Sequence, residues 1–264
     1  MKKILTLVLI ASFPLLANAQ NNEGSILYTT KTKVKLTGDI VNMLSKEQLA
    51  KIQNRTSQKQ LFFNDKESVY RKPTKPSKEE QPTEQSFSAG GAQIKIKFAG
   101  GENDDQLYYN IANQQVVDMR TFLGKRFLIK DAPQKLQWKL TAETKKILGY
   151  ECRRATLKTD KQEAEAWFTM QIPVASGPRG YGQLPGMVLE LSSIKIKDDG
   201  EKSEPTTTTA TQINLKKLDK GTITPPKKGK KVSRKQFKKI QQRKLKEMKE
   251  RYRNKGGTIK INGN

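Results

Sequence analysis

The sequence predicts a mainly β fold: a single antiparallel β-rich domain, built as a curved sheet, half-barrel or sandwich, with a short internal helix and a basic C-terminal α-helix. Three observations predict it. Short runs that alternate apolar and polar residues recur from Gly24 to Leu218, the period of strands with one dry face. Turn residues separate these runs at short intervals, as antiparallel connections require. No strand pattern alternates with a long helical one, which argues against a parallel α/β fold.

The first strand follows Gly24. Ile26, Tyr28, Thr30, Thr32, Val34 and Leu36 share one parity, while Lys31, Lys33 and Lys35 share the other. Ser45–Arg55 opens with a capping Ser and has Gln48 three residues on, so a short helix is expected. Lys59–Phe63 and Glu67–Tyr70 predict a hairpin around Asn64-Asp65-Lys66. Residues 71–91 are rich in Pro, Lys, Glu, Ser and Gly, the composition of a surface loop or flexible insertion. Strand signals then crowd together at Ile94–Phe98, Leu107–Ile111, Val117–Leu123, Phe127–Ile129 and Trp138–Leu140. Tyr150, Cys152, Arg154 and Thr156 form another run of one parity, as do Ala164, Ala166 and Phe168. Leu189 and Leu191 give way to Ile194 and Ile196, which predicts a bulge or corner at Ser192-Ser193. Thr206–Leu218 reads as the last strand.

The two ends differ from this body. Residues 1–19 read as a cleavable signal peptide: Met1-Lys2-Lys3, an apolar run from Ile4 towards Leu16, and the small-x-small Ala17-Asn18-Ala19 before Gln20. The run falls short of the ~20 apolar residues that span a bilayer, and no later segment reads as a transmembrane span. The expectation is an exported protein, periplasmic, outer-membrane-associated or secreted, whose β-rich domain occupies residues 20–221. Residues 222–264 read as a linker, 222–232, and a basic amphipathic tail. Ser233 and Gln236 fit a capping box. Phe237, Ile240, Leu245, Met248 and Tyr252 then recur at helical spacing up to Gly256-Gly257.

Charge sharpens the division. The chain carries a formal +25, and residues 222–264 hold sixteen Lys and Arg against only Glu247 and Glu250. That asymmetry points to an acidic partner: a phospholipid, lipopolysaccharide or acidic glycan surface. Arg234, Lys235, Lys238, Lys239, Arg243, Lys244, Lys246, Arg251 and Arg253 are the candidate contacts. The competing reading packs the apolar stripe on the sheet and leaves the charges solvated. An envelope protein is a further candidate partner. Nucleic acid is the less available one, because export removes it and aromatic residues are sparse among the basic ones.

Catalytic chemistry is narrowly bounded. The absence of histidine excludes Ser/His and Cys/His triads and HExxH zinc sites. A single cysteine, Cys152, makes no intramolecular disulfide and reads as a small buried residue. Asp104-Asp105, Glu163 with Glu165, and Asp198-Asp199 are the carboxylates close enough in sequence to consider, and they read as solvated turns and strand faces. No pattern calls for a metal or a cofactor.

Residues 135–190 carry an ordered set of motifs. Trp138-Lys139-Leu140-Thr141 precedes Lys145-Lys146-Ile147-Leu148-Gly149-Tyr150-Glu151-Cys152. Ala166-Trp167-Phe168-Thr169 with Ile172-Pro173 and Gly177-Pro178 follow, and Leu184-Pro185-Gly186-Met187-Val188-Leu189-Glu190 closes the set. In combination this resembles the GLPGLI family of exported Bacteroidetes proteins. Gln183 stands where the first Gly of that signature is usual, and Met187-Val188 replace Leu-Ile. The resemblance implies a signal-bearing, β-rich envelope or secreted protein, and it supplies no catalytic residues.

The Gly/Pro segment within it can hold a loop of fixed shape. As a binding loop it would present Arg179, Tyr181, Gln183, Leu184, Pro185 and Gly186; as a plain strand connection it would pack Tyr181 and Leu184 into the core. The leading expectation is a non-enzymatic binding or scaffolding domain with a basic tail on an anionic surface. The alternatives are a secreted hydrolase using carboxylates and a polyanion or nucleic-acid binder.

Overall fold

Eleven of the strands expected from that alternation, joined by the unexpected Lys230–Val232, form one hydrogen-bonded sheet. The computed structural model describes residues 22–33, 35–36, 40–75, 84–89, 92–97, 104–254 and 261–262. Residues 1–19, expected to form a signal peptide, part of the 71–91 insertion, Phe98 and Gly256-Gly257 lie outside the described residues.

In chain order the strands are β1 (Gly24–Lys33), β2 (Asn54–Phe63), β3 (Glu67–Arg71), β4 (Gln106–Asn110), β5 (Gln115–Phe122) and β6 (Lys125–Asp131). There follow β7 (Lys139–Ile147), β8 (Tyr150–Thr159), β9 (Gln162–Thr169), β10 (Met187–Lys195), β11 (Thr206–Asn214) and β12 (Lys230–Val232). Their order across the sheet is β7-β8-β9-β10-β11-β1-β2-β3-β4-β5-β6-β12. Every pairing is antiparallel except β12 on β6.

This order forces curvature. β6 ends at Asp131 and β7 begins at Lys139, so the link reaches at most about 28 Å at ~3.5 Å per residue. In a flat sheet the two strands would sit ten steps apart, about 48 Å at ~4.8 Å per step. The sheet therefore curls, and the two halves meet across one concave face.

The concave face is filled near one end by Ile26, Tyr28, Leu61, Phe63, Tyr70, Cys152, Met187 and Leu189, together with Ile172 and Val174 from the β9–β10 connection. Each large apolar side chain buried there is worth about 1.5–3 kcal/mol. Two long-range hydrogen bonds fix the connection. The buried Tyr28 hydroxyl donates to the Val188 carbonyl at 2.6 Å, and the Ser176 hydroxyl lies 3.0 Å from that of Ser68. The reverse face of β2–β6 carries Phe62, Val69, Tyr108, Val117, Met119 and Leu128, covered by Leu218 and Ile223.

Both predicted capping boxes form. Ser45 and Gln48 bond reciprocally at 2.8 and 3.2 Å and open α1 (Lys46–Gln53). Ser233 and Gln236 do the same at 2.8 and 3.2 Å and open α2 (Arg234–Asn254). The first turns of α2 pack on the sheet through Phe237 and Ile240, against Phe122, Phe127, Ile129 and Val232.

Several expectations need correction. The bulge lies at Leu189, not at Ser192-Ser193: Trp167 faces Glu190 while Phe168 faces Val188, and the register through Ser192 and Ser193 is unbroken. The extra residue puts Val188 and Leu191 in one cluster although they are three apart. β8 also changes faces, with Cys152 in the first cluster and Ala155 and Leu157 in the second. Its neighbour β7 is irregular between Leu140 and Thr144, so one parity does not run from Tyr150 to Thr156. The 71–91 insertion is not all loop: Glu84–Ala89 pairs with Ala92–Lys97, with the two-residue separation that tight hairpins favour. The last predicted strand stops at Asn214 rather than Leu218. The 222–232 linker ends in β12, which extends the β6 edge. Lys35–Leu36 pairs with Ile261–Asn262, so the tail continues beyond the helix.

Candidate functional site

Along β1 and β2 the concave face changes character. The register pairs Ile26 with Leu61, then Tyr28 with Lys59, then Thr30 with Ser57. The first pair is core; the later pairs turn polar on the same parity. On β5 the face carries Val116, Asp118 and Arg120 while Val117 and Met119 point to the reverse. The polar half of the face is therefore written into alternate positions of several strands.

Above it lies a cleft of about 590 Å³. Its floor includes Thr30, Ser57, Lys59, Tyr70, Asp118 and Arg120. One wall is Arg179, Gly180 and Tyr181 of the β9–β10 connection, and Arg234 of α2 closes a corner. The β6–β7 link supplies Pro133, Gln134 and Leu136.

Two loops brace each other at the rim. The Trp138 indole donates to the Gly182 carbonyl at 2.9 Å, and the Gln183 amide donates to the Gln134 carbonyl at 2.8 Å. The Leu136 N–H returns a bond to the Gln183 side chain at 3.1 Å. Gln183 sits at φ +65°, and Arg179 at φ +57°. Both lie in the left-handed region, which costs a non-glycine residue about 1–2 kcal/mol. Gln183 offsets that cost with its bonds to the β6–β7 link. The close approach at Gly186 is also obligatory: a Cβ there would lie 2.1 Å from the Thr169 carbonyl oxygen.

Five cations and two carboxylates line the cleft. Asp118 is buried and pairs with Arg120 at 2.8 Å and with Arg234 at 4.0 Å. Asp105 lies 3.9 Å from Arg120 and accepts from the Thr121 N–H at 2.7 Å. Lys59 donates to the Asp105 carbonyl at 2.8 Å. Burial pushes its ammonium down to about 8, with Asp105 opposing the shift. Arg179 reaches the Ser193 hydroxyl at 3.5 Å. Lys195 titrates below the usual lysine range, through desolvation and then repulsion from Arg179 and Arg120. Among the described residues neither Arg179 nor Lys195 has a carboxylate partner within 4 Å.

The structure divides the predicted binding loop. Arg179 and Tyr181 face the cleft, with the Tyr181 hydroxyl donating to Gln162 at 2.8 Å. Gln183 braces the rim, Leu184 is buried in the core, Pro185 is exposed, and Gly186 packs on Thr169. The predicted tail contacts also divide. Arg234 pairs with Asp131 at 3.5 Å and turns to the cleft. Lys244 and Arg243 pair with Glu247 at 2.6 and 3.8 Å. Lys235, Lys238, Lys239 and Lys246 are exposed, with no ion pair among the described residues, and Arg251 and Arg253 lie in the last turn of α2.

Of the candidate catalytic carboxylates, Asp105 lines the cleft with Asp118, and the others are held elsewhere. Asp104 pairs with Arg126 at 2.6 Å, Glu165 with Arg154 at 2.6 Å, and Asp199 accepts from the Glu201 N–H in a turn. Lys202 and Lys158 hold the Glu163 carboxyl below its usual range. Asp118, Arg120, Lys59 and Lys195 were not singled out by motif. The signal that could have found them is a charged residue on the apolar parity of a strand, as Lys59 is beside Leu61 and Phe63.

Residues 104–238, just over half of the chain, match a family model described as "N-glycanase peptide, N-terminal domain". That span runs from the strand before the cleft's β5 floor to the first turn of α2. Two solved structures are similar, described as "Structure of PNGF-II in C2 space group" and "Structure of PNGF-II in P21 space group". Each is 17% identical with a TM-score of 0.46 over 81% of this chain. The chain spans about a third of their length, 32% and 33%. No curated protein matches it. Among the described residues no helix is long and apolar enough to cross a membrane.

Proposed function

We propose, from the premise that the chain belongs to the N-glycanase peptide N-terminal domain family, that it is an exported β-rich binding domain without catalysis of its own, held to an anionic lipid surface by α2. The orientation of α2 carries this reading. Phe237 and Ile240 face the sheet. At about 100° per residue, Lys235, Lys239 and Lys246 fall on the opposite side. All three are exposed. A docked helix presents these cations in a fixed row, so less ordering entropy is lost on contact than from a free tail. Each lysine near an anionic leaflet contributes about 1 kcal/mol. The missing histidine and the ion-paired carboxylates support the non-catalytic part. The motifs at 135–190 fall inside the matched span, and the GLPGLI resemblance they carry supports the exported, envelope setting.

The test is co-sedimentation of the full mature chain with vesicles of anionic phospholipid, with and without lipopolysaccharide, across a salt series. Binding should weaken as salt rises. In the K235E/K239E/K246E variant it should fall by at least ~10²-fold, from three lost contacts of ~1 kcal/mol each. Equal binding by that variant, or binding indifferent to salt, refutes the reading.

A further inference from the structure

The cleft is a second charged feature, separate from the exposed face of α2. Its lining holds five cations, Lys59, Arg120, Arg179, Lys195 and Arg234, and, among the described residues, two carboxylates, Asp105 and Asp118. Arg120 pairs with both of these carboxylates, and Arg234 with Asp118 and with Asp131 outside the cleft. That leaves Arg179 and Lys195 without a carboxylate, on two elements that the fold brings together at one wall.

Repulsion within such a group is costly in a partly enclosed volume, yet the fold holds it in place. Pro178 and Gly180 flank Arg179, whose backbone sits in the left-handed region at φ +57°. A Cβ on Gly180 would approach the Leu107 side chain to 2.9 Å, so the loop is pressed against the cleft's own lining. Backbone strain spent on aiming a cation into a cavity is a mark of a ligand site. The remaining lining gives the ligand its chemistry. Gln106, Gln134 and Gln162 offer amides, Thr30 and Ser57 offer hydroxyls, and Leu107, Leu136 and the Tyr181 ring offer apolar surface. Amides and hydroxyls beside an aromatic ring suit a hydroxylated ring, and the cations suit an acidic group on it. The volume of about 590 Å³ lies within the ~300–1,000 Å³ of small-molecule sites.

We propose that this cleft binds an acidic sugar, with Arg179 and Lys195 holding its carboxylate or phosphate and the glutamine-lined wall holding its hydroxyls. The proposal does not depend on the role of α2.

An NMR titration of the ¹⁵N-labelled mature protein at low ionic strength tests it. The probes are glucuronate and glucose 6-phosphate, with glucose as the neutral control and inorganic phosphate as the bare anion. The acidic sugars should shift the amides of Arg120, Gly180, Tyr181 and Lys195 and bind at least tenfold more tightly than either control. R179A and K195A should each weaken them by ~10-fold or more, the scale of a lost charge-assisted hydrogen bond. R179K should retain part of the affinity, and the K235E/K239E/K246E variant all of it. Binding of phosphate as tightly as the sugars would overturn the proposal by leaving an adventitious anion site only. So would equal binding of glucose, shifts elsewhere on the sheet, or undiminished affinity in a folded R179A/K195A variant.

Discussion

Replacing Phe237 with Ala should release α2 while leaving the sheet folded. Phe237 is buried against Phe127 at 5.2 Å between ring centres and edge-on to Phe122 at 6.3 Å. Loss of a buried Phe costs about 3–5 kcal/mol, part of it from aromatic pairs worth ~0.5–1.5 kcal/mol each. Phe237 meets the sheet along one side of a peripheral helix, so the lower end, about 3 kcal/mol, applies. That energy sits in the docking of α2, because the cluster of Phe237 with Phe122, Phe127, Ile129, Val232 and Ile240 is where the helix meets the sheet. The assay is native-state hydrogen exchange. Amides from Phe237 to Met248 should exchange ~10²-fold faster, at ~1.4 kcal/mol per tenfold. Trp138 and Trp167 lie in the other half of the molecule, so fluorescence-detected urea unfolding should shift by less than ~1 kcal/mol. Unchanged exchange in α2, or a full ~3 kcal/mol loss in the tryptophan-detected transition, would refute this account. For the same reason, cutting the chain at Gly221 is a poor test of the basic tail: it would bare Phe127 and Ile129 and take Arg234 from Asp118.

Other perturbations follow from the same contacts. Gly186→Ala sets a Cβ against the Thr169 backbone and should cost about 3 kcal/mol, read as a lower urea midpoint with an unchanged slope. Lys59, at about 8 when folded and ~10.4 when unfolded, makes the unfolded chain bind more protons between those values. Stability of the native protein should therefore rise with pH across that window relative to Lys59→Met, and a flat difference between the two would count against burial of the charge. The Cys152 thiol is pushed up to about 11 by burial, so alkylation near pH 8.5 should be at least ~10²-fold slower in the folded protein than in urea. Rapid labelling of the native protein would show that this part of the core opens.

How far the sequence revealed the molecule depends on how local each signal is. Period-two alternation located the strands because each records its own dry face. Both capping boxes were legible because four consecutive residues define them. Bulges escaped because Leu189 is extra only relative to Phe168 on another strand. The cleft escaped for a similar reason. Its cations stand at positions 59, 120, 179, 195 and 234, and only the curl of the sheet brings them together. Gln183 is the instructive intermediate. Its departure from the usual glycine was visible in the sequence, but its positive φ and its bonds to residues 134 and 136 were not.

The position of β1 has a consequence for how the chain can fold. It lies between β2 and β11, so a chain emerging from its N-terminus has β1 early and its second neighbour nearly two hundred residues late. Strands β1 to β6 can build one half in chain order, each pairing with the one before it, with short loops at β2–β3, β4–β5 and β5–β6. The two halves are joined only when Thr206–Asn214 arrives, and Tyr28 meets the Val188 carbonyl across 160 residues of sequence. Such non-local pairing makes folding slow. Until the last of these strands is made, one edge of β1 stays open, and a partner that occupied it would hold the protein unfinished.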